Sequence, residues 1–206
     1  MTQPLLILSA AGTAAELRER IEASAQYLFR GFLDDVKTGP DIVGTLADQA
    51  RHADCKLMSA LGSYRGMSRR ARLLRDIPPE RFARFVDPLA LCSASAQLGI
   101  DVVVFPFSVI AARAVLGAHC LVYHHATVSH DCELGAGVII SNAACLSGHV
   151  RVGSHAYVGA GAVIRENVRI GSHTIIAANA TVSNDVPDQV IYLSKDRIES
   201  NHYHTP

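Results

Sequence analysis

The chain has 206 residues and a mass of 22.1 kDa, enough for one domain or two small ones with a real core. Nineteen basic residues balance nineteen acidic ones, which argues against wrapping nucleic acid or lying on an anionic membrane. No apolar run approaches the ~20 residues of a membrane span, and the opening MTQPLLILSAAG lacks the basic flank and cleavage pattern of a signal peptide, so a soluble, cytoplasmic protein is expected. In chain order, LLIL (5–8) reads as a buried strand, and TAAELRERIEAS (13–24) as an amphipathic helix with Thr13 at its N-cap. YLFRGFLDD (27–35) reads as a strand ending in two acids, and CKLMSALGS (55–63) as another strand. YRGMSRRARLLRDIPPERFARF (64–85) continues as a basic helix broken at Pro78-Pro79. This order predicts a small Rossmann-like α/β domain over 1–85 with a parallel sheet, binding its ligand beyond the strand C-termini. Arg65, Arg69, Arg70, Arg72 and Arg75 read as a solvated helix face.

From Leu98 the period changes. Fifteen consecutive sixth positions, Leu98 through Val182, are Leu, Ile or Val, and four residues after each stands a small or β-branched residue. Six fits neither a 3.6-residue helix nor an alternating strand; it fits short strands turning three corners per coil, a parallel β-helix. The repeat resembles the left-handed hexapeptide type, expected over 86–190 with a tail at 191–206. Gly99, Gly117, Gly135, Gly153 and Gly171 recur every eighteen residues, so one corner repeats glycine in each coil and is expected to use its conformational freedom. Five cysteines without paired spacing are expected as free thiols, Cys120 and Cys132 in the core.

Residues eighteen apart stack on adjacent coils, so the corners can be read as columns. The third corner collects Arg113, His130, Asp131, His149, Arg165 and Glu166, with Gly148 directly above His130. A base needs open space beside it and an oxyanion needs an unobstructed N–H; a glycine over a histidine offers both, although corners are polar in any case. His119, His155 and His173 share a first-corner column, but Gly137 interrupts it and a zinc shell needs three or four converging ligands. The ligand intervals of zinc carbonic anhydrases built on this helix are met by His119 and His155, then fail at Ala160. No metal is expected.

FLDD, ALGSYR, FVDPLALCSASAQLG, ATVSHDCELG, LSGHVRVGSHAYVGAGAVI and VSNDVP, in this order and spacing, resemble bacterial nucleotide-amino-sugar N-acetyltransferases and sialic acid O-acetyltransferases. The resemblance implies a homotrimer that binds acetyl-CoA between subunits and holds a nucleotide sugar on the α/β domain. It implies His130 as general base, Asp131 as its orienting acid, and the Gly148 N–H on the oxyanion. Ala160 and Ala178 would flank the pantetheine arm, and Ile139 would stand beside the acyl group, where the family often has a histidine. Ala11, Gly12, Thr13, Asp34 and Asp35 would hold the nucleotide sugar, with Tyr123 and His124 against the acceptor. The chain departs from the pattern in the glycine-poor loop SAAGTAAE, which offers phosphates fewer free N–H groups, in Ile139, which suits a different acyl group or reduced activity, and in the strip VYHHAT and the C-terminal YLSKDRIESNHYHTP; a changed acceptor is expected. The expected activity is acetyl transfer to an amino sugar; the alternatives are O-acetylation of a sialic acid or other glycan, and a non-catalytic β-helix scaffold.

Overall fold

Parallel pairing organises both halves of the chain in this computed structural model, which describes residues 2–195 and 197–203. In the first half, β1 (Gln3–Leu8), β2 (Tyr27–Leu33), β3 (Ile42–Gly44) and β4 (Lys56–Ser59) form one sheet in the order β3-β2-β1-β4, every pair parallel. The helix α1 (Gly12–Ser24) crosses from β1 to β2 and buries Ala14, Leu17 and Ile21, one helical stripe, with Leu5 and Ile7 of β1. Because β2 and β4 flank β1 on opposite sides, the strand order reverses there and leaves a crevice beyond the C-terminal ends of β1 and β4.

Several boundaries differ from the sequence expectation. Thr13 is not the N-cap: Ala11 holds that position without a side-chain bond, and the Thr13 hydroxyl lies 3.0 Å from that of Tyr123. The strand expected over 55–63 ends at Ser59, and residues 60–63 form the loop that walls the crevice. The basic helix contracts to α2 (Met67–Arg75), between 3-10 turns at Tyr64–Gly66 and Pro79–Arg81; the residue before a proline is pushed out of helical geometry. Its arginines are not one solvated face either, since Arg70 shares the buried stripe with Met67 and Leu74 and is only 3% exposed. β3 and the 3-10 helix Leu46–His52 are further elements, the latter entered where Asp48 accepts hydrogen bonds from the N–H and hydroxyl of Thr45.

From Phe85 onward, two-residue strands recur at intervals of six and stack with a register of eighteen, as in Leu121↔Ile139, Thr127↔Cys145 and Val115↔Glu133. The aliphatic column and its small partners point inward and form one continuous core from Val102 to Tyr192. Each fully buried Leu, Ile or Val there contributes about 1.5–3 kcal/mol. Two polar side chains in this column are satisfied locally: Ser108 donates to the Tyr123 carbonyl and Thr174 to that of Pro187, both at 2.7 Å. Cys120 and Cys132 are fully buried, as expected, and burial pushes the Cys120 thiol up to about 12.

The glycine column has a different cause from the one expected. On this corner the left-handed position falls two residues after the glycine, at Asp101, His119, His155 and His173, and the third corner has its equivalent at Asp131 and His149; histidine, aspartate and asparagine are tolerated there better than most side chains. The column glycines themselves sit where coils nearly touch. A Cβ on Gly117 would lie 2.8 Å from the Ala136 nitrogen, and one on Gly153 would lie 2.4 Å from that of Ser172.

The three faces of the solenoid differ in chemistry. On the first, the outward residues Val103, Leu121 and Ile139 are fully buried together with Leu5, Ile7 and Met58 of the α/β sheet. On the second, the outward positions are Leu91, Val109, Thr127, Cys145, Val163 and Thr181, none of them charged, with Leu91 71% exposed. On the third they include Glu133, Arg151 and Arg169. The last coil shortens to sixteen residues, Ile175 pairing with Ile191, and the hairpin Val190–Ser194 with Arg197–Ser200 closes the first face. Part of the segment expected as a tail therefore joins the solenoid; Asp196 and residues 204–206 lie outside the described residues. Among the described residues, no helix is long and apolar enough to cross a membrane.

Candidate active site

The third corner gathers its charged residues through the register alone. Arg113, Asp131 and His149 occupy the same left-handed position on three successive coils, about 4.8 Å apart, and His130 precedes Asp131. The Asp131 carboxylate accepts from His130 Nδ1 at 2.8 Å and from Nε and an Nη of Arg113 at 2.7 and 2.8 Å. His149 Nε2 stands farther off, 3.9 Å from the same carboxylate, and its ring meets that of His130 edge-on at 5.1 Å. The Arg113 fork, and then the His130 bond, hold the Asp131 carboxyl far below the usual carboxylate range. Asp131 is therefore an ionised acceptor that fixes the imidazole ring, with Nδ1–H donated to it and Nε2 left as the basic atom.

Gly148 lies over the ring as the column predicted: a Cβ there would be 2.6 Å from His130 Cε1 and 2.7 Å from Nε2. Any side chain there would push the His130 ring aside. The Gly148 carbonyl is used by Asn167 N–H, whereas its own N–H has no hydrogen-bond acceptor among the described residues. His130, Asp131 and His149 also bring one metal-ligand atom each within 4.8 Å of one another, but a guanidinium already occupies the carboxylate.

The second assembly is the crevice at the switch point of the α/β sheet, a cavity of about 510 Å³. Ala11, Gly12 and Thr13 line it beyond β1, Gly62 and Ser63 beyond β4, and Arg69 and Arg70 on α2. Asp34 and Asp35 are not in the lining of this cavity but bond to residues in it or beside it. Asp34 accepts from the N–H groups of Ala10, Val36 and Lys37; burial raises its carboxyl, but the three N–H bonds outweigh that and hold it below the ordinary value. Asp35 accepts from Leu46 N–H and pairs with Arg69 at 2.5 Å. Tyr123 stacks on Phe105 with ring centroids 5.2 Å apart and carries its hydroxyl to Thr13 and Gly62; a Cβ on Gly62 would be 1.8 Å from that oxygen. His124 packs beside the same Phe105, at 5.0 Å. Gly62, Ser63 and Arg70 were not read as site residues from the sequence, because the loop carries no motif and Arg70 looks like its exposed neighbours.

The structure does not bring all the expected residues together in one chain. Ile139, expected near the acyl group, is fully buried against the α/β domain and offers it no surface. Ala160 and Ala178 stack on the second corner with Tyr123 and His124 below them, whereas His130 is on the third. The third corner joins the second and third faces, so it is the vertex opposite the face that carries the α/β domain.

The bacterial transferase hexapeptide model, six repeats, matches residues 149–184. The acetyltransferase domain of PglB from Neisseria gonorrhoeae, solved with acetyl coenzyme A, superposes with a TM-score of 0.87 at 28% identity over 97% of this chain and 100% of that one. GDP-perosamine N-acetyl transferase from Caulobacter crescentus, solved with CoA and GDP-perosamine, superposes at 0.82 with 26% identity over 96% of each chain. The chain is a hexapeptide-repeat acyltransferase. WeeI from Acinetobacter baumannii, 22% identical with a TM-score of 0.81 over 96% of this chain and 100% of its own, shares the acyltransferase's fold. No curated protein sequence matches the acyltransferase.

Proposed function

We propose that the acyltransferase moves an acetyl group from acetyl-CoA to the amino group of a nucleotide-linked sugar, with His130 as general base. The observation that carries this reading is His130 itself: Nδ1 is tied to an ionised Asp131 and Nε2 faces the space under Gly148. His130 Nε2 takes the proton released as the acceptor nitrogen bonds to the acyl carbon. The carbonyl π electrons move onto oxygen, where the free Gly148 N–H is placed to donate. When the carbonyl re-forms and the C–S bond breaks, His130 returns its proton to the departing sulfur. Holding both substrates supplies the rest of the rate gain, and the relatives solved with acetyl-CoA and with CoA plus GDP-perosamine support this substrate pair.

In this reading residues 1–85 hold the acceptor and 86–190 the acyl donor, and a single chain is incomplete. Its crevice and its base lie on opposite sides of the solenoid, so His130 serves the crevice of a neighbouring chain. The uncharged second face is the surface to bury between copies, which brings the Ala160 and Ala178 corner of one chain to the His130 corner of the next; three copies around that face close the ring. A cytoplasmic location suits five cysteines that are all free.

Steady-state kinetics on His130→Ala test the mechanism. The expected loss in kcat is roughly 10²–10⁴-fold, with the oligomer and the melting temperature unchanged; turnover at the wild-type rate would refute the assignment. An acceptor panel pairing each amine with its hydroxyl analogue distinguishes N- from O-transfer, the amine being expected to turn over faster.

A further inference from the structure

We propose that the groove between α2 and the first corner of the solenoid is a second ligand site, taking a small molecule that bears a diphosphate. Its lining shares only Arg70 with the crevice and does not include His130. The Arg72 and Arg75 end of the basic helix and the histidine column, neither of which the transfer chemistry uses, meet across it. The cavity, about 390 Å³, has Arg70, Arg72 and Arg75 on one wall and His119, His155 and His173 on the other, and no carboxylate among the described residues that line it.

The wall is built, not incidental. His155 and His173 hold left-handed backbone on adjacent coils, with φ of 57° and 56°, and their rings stack at 5.1 Å. The His155 ring fits because position 137 is glycine, where a Cβ would fall 2.4 Å from its Nδ1. Arg70 is buried and its guanidinium donates to the carbonyls of Gly137 and His119, while Nε has no partner. Carbonyl oxygens solvate that charge without cancelling it. The nearby buried carboxylate, Asp101, is already engaged by Ser59 N–H and His119 Nδ1, both at 2.8 Å. Arg72 makes no hydrogen bond or ion pair among the described residues, and Arg75 has Asp76 at 3.4 Å along its own helix. Guanidinium groups on a carboxylate-free wall match phosphoryl oxygens, which accept their paired N–H groups.

Calorimetry with inorganic pyrophosphate tests the site. One equivalent per chain is expected, with affinity lowered about tenfold or more in the exposed double variant Arg72→Ala/Arg75→Ala and unchanged in Arg69→Ala, which lines only the crevice. The double variant should keep the wild-type KM for both substrates and the wild-type melting temperature. The proposal is overturned by the absence of saturable binding to the wild-type protein, by equal binding to the double variant, or by loss of binding in Arg69→Ala instead.

Discussion

Asp131 shows how one side chain can be assigned by what competes for it. It serves His130 at 2.8 Å but is held more fully by the Arg113 fork, with His149 a more distant contender. Its charge is present above the ordinary carboxylate range and persists as pH falls through that range, being lost only at the depressed native value. Protonation of Asp131 therefore does not set the acid limb of the rate profile. In Arg113→Ala the Asp131 carboxyl, followed by carbon NMR across a pH titration, should move up toward the ordinary value; an unmoved titration would mean that the fork does not set it. Arg113, His130, Asp131 and Gly148 were legible in the sequence because an eighteen-residue register converts spacing into proximity. Arg70 was not, because its partners are carbonyls of a domain whose docking has no periodic signal.

At the level of elements, the repeat was legible because every coil buries the same two columns, and a one-residue slip would turn the aliphatic set outward. The glycine column was legible as a pattern but not as a cause: only the structure shows that close approach of backbone, and not positive φ, requires it. Gly117→Ala should lower stability by about 1–3 kcal/mol, since backbone must shift to admit the new atom, whereas Gly12→Ala, with nothing within 4 Å of the added Cβ, should leave the melting temperature near wild type or raise it slightly. Equal melting temperatures for the two variants would contradict the steric account. β3 and the 3-10 helix Leu46–His52 escaped the sequence reading because three-residue strands and single capped turns are too short to show a period.

The crevice lies on the side of the face that carries the α/β domain and His130 at the vertex opposite, and the uncharged second face lies between them. A charge on that face should therefore separate chains and stop turnover without unfolding them. Val163→Asp, at a position 40% exposed in the single chain, is expected to run as a monomer by light scattering with near-native circular dichroism and little activity; a fully active assembly of unchanged size would rule out this face as the contact. The most direct test of the central claim, that His130 of one chain acts on the acceptor held by another, is subunit complementation. His130→Ala lacks the base, and Gly12→Phe, whose ring would fill the crevice, lacks the acceptor site. Each alone should be inactive. Dissociated, mixed and reassembled, they should regain a substantial part of wild-type turnover, because the intact base of one then faces the intact crevice of the other. Mixed assemblies that form normally yet remain as inactive as their parents would contradict the account.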